Sequence, residues 1–256
     1  MLLHREALAV LGYPGEVARW VEDYRAAMPH HEPPAPRFAL DPADASSWRP
    51  ALGAFDRSGD WEVLFARELA EAPWRQVLAR WWPRLLPGLW AGLTHGVIRT
   101  AHAVRGLAAA EEPTPAQLTE PARGLAYWAA RWTALPGQPR LTGTHDLAAA
   151  VAAVPRPPRQ EGERPGPGMA AGRLARLGSL PGYEEAPCLP AADQAPRLLG
   201  ELTLRCADVC LHHPEVYPVP LVHGVTAPAA VRLVLPHRPA WWSPRWPRCG
   251  RWARPS

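Results

Sequence analysis

Residues 61–86, WEVLFARELAEAPWRQVLARWWPRLL, decide the fold. Their apolar positions run Trp61, Leu64, Phe65, Leu69, then Trp74, Val77, Leu78, Trp81, Trp82, Leu85 and Leu86. Steps of three and four residues place those side chains on one stripe of a helix, and strand alternation is absent. Pro73, Pro83 and Pro87 punctuate the run. Proline lacks the N–H a helix interior needs, so the spacing predicts three successive helices and not one rod.

The same pattern extends outward on both sides. Toward the start, Glu6–Leu11 and Glu16–Met28 carry helical spacing and are joined by Gly12–Tyr13–Pro14–Gly15, while Pro29–Ala45 reads as a Pro-rich loop. Downstream, one helix is expected over Pro87–Ala109 and another over Pro115–Leu135. Thr114 supplies an N-cap for the latter, with proline at its first position and Gln117 completing a capping box; Pro121 is expected to shift or split it. Between Pro155 and Gly168, eight of fourteen residues are Pro or Gly, the composition of a loop. Ala170–Leu177, Ala191–Cys210 and Pro228–Leu235 read as helices. No strand pattern of useful length and no internal repeat interrupts this series. The expectation is an all-α, multi-helical single domain with a Pro/Gly-rich internal loop. Its N-terminal helical part covers 1–154, the loop 155–168 and its C-terminal helical part 169–235.

Residues 236–256 stand apart, with five Pro, five Arg, four Trp and no acid. Two readings apply: an Arg/Trp interaction tail, or translation of a GC-rich gene out of frame, which is the favoured one. GC-rich coding also fits the 33 Pro and the choice of Arg for all 28 basic residues.

Several function classes are disfavoured. The pI near 9.2 is a property of the tail: subtracting its five Arg from the net +4 leaves the first 235 residues at −1. A nucleic-acid partner needs a basic face built into the fold, so none is expected. Leu85–Val104, read as the longest apolar run, carries His95, Arg99 and His102 and is not expected to cross a membrane. His4, Arg5 and Glu6 interrupt any leader-like apolar core, which points to a cytoplasmic protein. Cys188, Cys206, Cys210 and Cys249 form no CxxC pair; Cys206 and Cys210, one helical turn apart, read as buried thiols before a redox or metal pair. No G-x-G-x-x-G, phosphate-binding loop or G-x-S-x-G elbow is present.

The chemistry-bearing stretch is Thr94–His95–Gly96–Val97–Ile98–Arg99–Thr100–Ala101–His102. His95, Arg99 and His102 fall at i, i+4 and i+7 and share one face. On a core-facing helix they would need a polar partner, because an unpaired buried polar group costs roughly 1–3 kcal/mol. A carboxylate, a metal, a substrate or water could serve. The two imidazoles lie about 10.5 Å apart along the axis at ~1.5 Å per residue, so a satisfied core network competes with metal ligation. His223 precedes Gly224–Val225–Thr226–Ala227–Pro228. It is expected just before a helix that starts at Pro228, either near that helix's positive end or as a loop histidine bonded to backbone.

These residues resemble a known family. Gly59–Asp60–Trp61 leading into Phe65 and Glu68, Trp74–Arg75, Arg80–Gly88, Thr94–Arg105 and Leu125–Arg131 are similar to questin-oxidase-like proteins, as is His223–Ala230. The similarity is dense over about 50–135, present over 215–235 and weak between. It implies an oxidoreductase that oxygenates or opens an anthraquinone-type ring of a small aromatic polyketide-like substrate, with NADPH as reductant. It further implies a non-haem iron held by His95, His102 and His223, with Arg99 beside the ligands or orienting substrate. The chain departs from the pattern at both ends. His4 is only two residues before Glu6–Ala7–Leu8, and no Lys follows the Thr226–Ala230 segment. The alternative is a truncated, catalytically inactive helical module that binds an aromatic ligand, with Trp74, Trp81, Trp82, Trp90 and Trp128 as pocket or as plain core.

Overall fold

A computed structural model describes residues 8–27, 34–135, 145–156, 176–177, 179–183, 194–214 and 218–237. His4, His30, His31, Cys188, Cys249, most of the Pro/Gly-rich loop and nearly all of the 236–256 segment lie outside them. The described residues are helical with no strand, so the all-α expectation holds. The chain divides into two compact units: 1–77 with 84–133, and 78–83 with 134–256.

In the first unit, α1 (Val17–Ala27) follows a short 3₁₀ turn. Then come α2 (Ser58–Glu71), α3 (Trp74–Leu85, whose residues 78–83 count with the second unit), α4 (His95–Ala108) and α5 (Pro115–Ala130). Helix α5 packs against both α2 and α4. Trp61, Leu64 and Phe65 are almost wholly buried, as the three-and-four spacing predicts, and Val97, Ala101, Val104, Leu125, Trp128 and Ala129 are buried likewise. Two indoles tie turns to this core, Trp61 Nε1 donating to Ala51 O at 3.1 Å and Trp128 Nε1 to Gly88 O at 3.0 Å. Close crossings need glycine. A Cβ on Gly96 would meet Trp128 at 2.7 Å, and one on Gly124 would meet Thr100 Oγ1 at 2.9 Å.

Segment 34–48 has no apolar period, and polar contacts hold it. Asp60 is 2 % exposed and accepts from the N–H of Arg37 (2.5 Å) and Phe38 (3.1 Å) and from Arg57 Nε. Arg67 and Arg84 donate to Leu40 O and Pro42 O. Burial pushes the Asp60 carboxyl upward, but these three donors and the Arg57 charge outweigh it and hold the group below its ordinary value of 3.8.

Prolines disrupt less than expected. Helix α3 runs through Pro83, and Pro121 lies inside α5 without splitting it. The expected helix over Pro87–Ala109 is instead a 3₁₀ turn at Leu86–Gly88, a non-helical turn and then α4.

In the second unit, Asp146 caps α6 (Leu147–Ala153) by accepting from Ala149 N–H at 2.7 Å. Helices α7 (Ala195–His212) and α8 (Pro218–Val234) pack along each other. Gly224 approaches Cys206, and Gly200 approaches Arg232, which makes the pair antiparallel. Cys206 and Cys210 are half-buried free thiols, and burial followed by Cys210 raises the Cys206 pKa. Helix α8 starts ten residues before the expected position and contains Pro228. By length and apolarity alone, Val219–His237 could cross a membrane, a stretch passed over in favour of 85–104; the same residues pack on α7.

Candidate functional site

The site is built from the turn that launches α4. Gly92, Leu93 and Thr94 take consecutive left-handed φ values of 54°, 56° and 65°. For L-residues this costs roughly 1–2 kcal/mol each, so Leu93 and Thr94 are strained. Gly92 admits nothing larger, since a Cβ there would sit 2.5 Å from the Tyr127 hydroxyl.

Thr94 occupies the N-cap of α4, where a threonine hydroxyl ordinarily accepts from the N–H two or three residues on. Here it makes no capping bond. Its side chain is 2 % exposed and its hydroxyl has no partner among the described residues. The N–H groups of Gly96 and Val97, its usual clients, also find no acceptor there, whereas His95 N–H reaches Gly92 O and Ile98 N–H reaches Thr94 O.

The His95–Arg99–His102 row does share a face, but not the core-facing one. Helix α4 buries Val97, Ile98, Ala101, Val104 and Leu107, while His95 is exposed and Arg99 and His102 are half-buried. Turned outward, the row escapes the burial cost that would have required a buried partner for each member. Arg99 pairs with Glu120 of α5 at 3.3 Å, a partner the sequence did not reveal. His95 Nδ1 bonds Gly92 O at 2.5 Å. A carbonyl oxygen can only accept, so Nδ1 is the donor in this bond.

His223 belongs to the second unit. It lies inside α8, 9 % exposed, with Nδ1 bonded to Val219 O at 2.6 Å. It is therefore not beside a helix N-terminus, which overturns the placement expected from Pro228. His212 and His213 close α7, His212 Nδ1 lying 2.8 Å from Asp208 O. His145 is exposed.

Iron fits these residues incompletely. Among the described residues no group of three or more His, Cys, Asp or Glu could hold a metal ion. His95 and His102 sit about 10.5 Å apart along α4 at ~1.5 Å per residue, and the bond to Gly92 tilts the His95 ring upstream, away from His102. They do not form a chelating pair.

Sequence reading missed Thr94 and the two unpaired N–H groups. The only available sign was a cap-type residue two positions after a glycine, which reads as a normal helix start. No protein family, curated protein or solved structure matches the chain.

Proposed function

We propose that this chain is an oxidoreductase of the questin-oxidase type, oxygenating or opening one ring of a small polycyclic aromatic substrate. The observation that carries the reading is residues 94–105, where the family-like segment coincides with a strained turn and unpaired donors at Thr94, Gly96 and Val97. Strain of this kind persists where surrounding structure enforces it and is concentrated at functional sites.

In this reading Arg99, steadied by Glu120, orients the substrate. Non-haem iron and NADPH enter only through the family resemblance, which implies His95, His102 and His223 as the metal's candidate ligands. No step is assigned to either group.

A second reading has its own support. The lack of a three-donor cluster among the described residues favours an inactive helical module that binds an aromatic ligand. The test is anaerobic loading with Fe(II), followed by oxygen uptake with NADPH and a hydroxyanthraquinone. Near-stoichiometric iron together with uptake supports the oxidoreductase. Ligand binding without uptake supports the inactive module.

A further inference from the structure

We infer that the start of α4 is an oxyanion cradle, in which the Thr94 hydroxyl and the N–H groups of Gly96 and Val97 together receive one negatively charged oxygen of an aromatic ligand. The inference deepens the oxidoreductase reading and rests on it only for the ligand's ring system.

Two independent observations meet here. The first is the orphaned donor pair. A helix start concentrates partial positive charge on its free N–H groups, and α4 at fourteen residues is long enough to develop it. The second is the hydroxyl. A buried threonine at an N-cap has a ready acceptor role, yet the left-handed turn at Thr94 leaves it unpartnered and 2 % exposed. One rotation of the turn into extended backbone would satisfy the hydroxyl and one N–H together. The fold instead holds them apart, with Gly92 wedged against Tyr127. Three donors kept from one another are suited to a common external acceptor.

The surroundings select the acceptor's chemistry. Exposed His95 and half-exposed Gly92 and Leu93 flank the buried Thr94, so the donors lie close beneath the surface. No Asp or Glu occurs between Asp60–Glu71 and Glu111, so this stretch of chain brings no competing carboxylate. The cradle therefore suits a phenolate or carboxylate on a flat ring.

The test uses the full chain, ¹⁵N-labelled, titrated with 1,8-dihydroxyanthraquinone and separately with benzoate. Downfield movement of the Gly96 and Val97 amides with either probe is expected. Thr94→Gly, which removes the hydroxyl and suits the left-handed φ, should weaken binding about 10- to 100-fold, the loss of one charge-assisted hydrogen bond. Thr94→Ser should retain it. If benzoate moves the two amides and the anthraquinone does not, the cradle stands and the polycyclic reading falls. If neither probe moves them, or Thr94→Gly binds as wild type does, the donors hold water only and the inference is overturned.

Discussion

Two helices of the same unit begin with threonine, and they begin in opposite ways. At α5, Thr114 is extended and accepts from Gln117 N–H at 3.3 Å, while Gln117 Oε1 accepts from Thr114 N–H at 2.9 Å. Every local choice there agrees with its neighbours, and proline at the first position presets the backbone. At α4, Thr94 is left-handed, its hydroxyl is idle and the N–H groups it should serve are unpaired. Residue type is the same, and backbone conformation alone separates them. A start built for stability closes its own hydrogen bonds, and one that leaves them open has given up stability for something else.

The contrast generates ordered expectations. The largest concerns Asp60, which belongs with Thr114 as a fully satisfied group. Asp60→Ala should destabilise the chain by about 2–4 kcal/mol in denaturant unfolding, since it strips Arg57 of its partner and leaves the Arg37 and Phe38 N–H groups without their acceptor. Because the folded carboxyl is held below 3.8, its stabilisation is present above that value and lost as pH falls through the lower folded pKa. The gap between wild type and Asp60→Asn should thus be constant from neutral pH to about pH 5 and close in stronger acid. A gap that widens in acid would contradict the assignment.

Next comes Gly96→Ala. A methyl facing Trp128 at 2.7 Å must move α4 against α5, an overpacking cost of about 1–3 kcal/mol measurable as a lower urea midpoint. Thr114→Ala should cost about 1 kcal/mol, the ordinary value of an N-cap. Thr94→Gly should go the other way and stabilise by up to about 1 kcal/mol, because it relieves a left-handed β-branched residue. Equal losses in Thr94→Gly and Thr114→Gly would erase the distinction between the two starts.

Much of the fold was legible because helical spacing survives any sequence noise that preserves one face. Trp61, Leu64 and Phe65 are where the pattern puts them, and the Thr114 capping box formed as read. Proline was the misleading signal. Pro228, following Thr226 and Ala227, looks like a helix start, yet His223, Ala227, Ala230 and Val234 form a buried i, i+4, i+7, i+11 stripe straight across it. Packing along that stripe outweighed one lost hydrogen bond, which costs about 3 kcal/mol with its steric clash. The outward face of His95, Arg99 and His102 was misread for a related reason: α4 is rich in small apolar residues, so Val97, Ala101 and Val104 define a rival stripe with equal periodicity. Asp60 illustrates the converse. Its place in the family-like Gly59–Asp60–Trp61 segment invites a chemical role, while its contacts show it pinning 34–40. The candidate site itself was hidden because a left-handed turn is a matter of φ and leaves little trace in residue types.

Thermal unfolding of wild type and Thr94→Gly, each with and without 1,8-dihydroxyanthraquinone, tests the central claim most directly. The oxyanion cradle predicts that Thr94→Gly melts at or above the wild-type temperature without ligand, and that it gains less Tm than wild type when ligand is added. A Thr94→Gly protein that is less stable, or that gains as much Tm from the ligand as wild type, would contradict it.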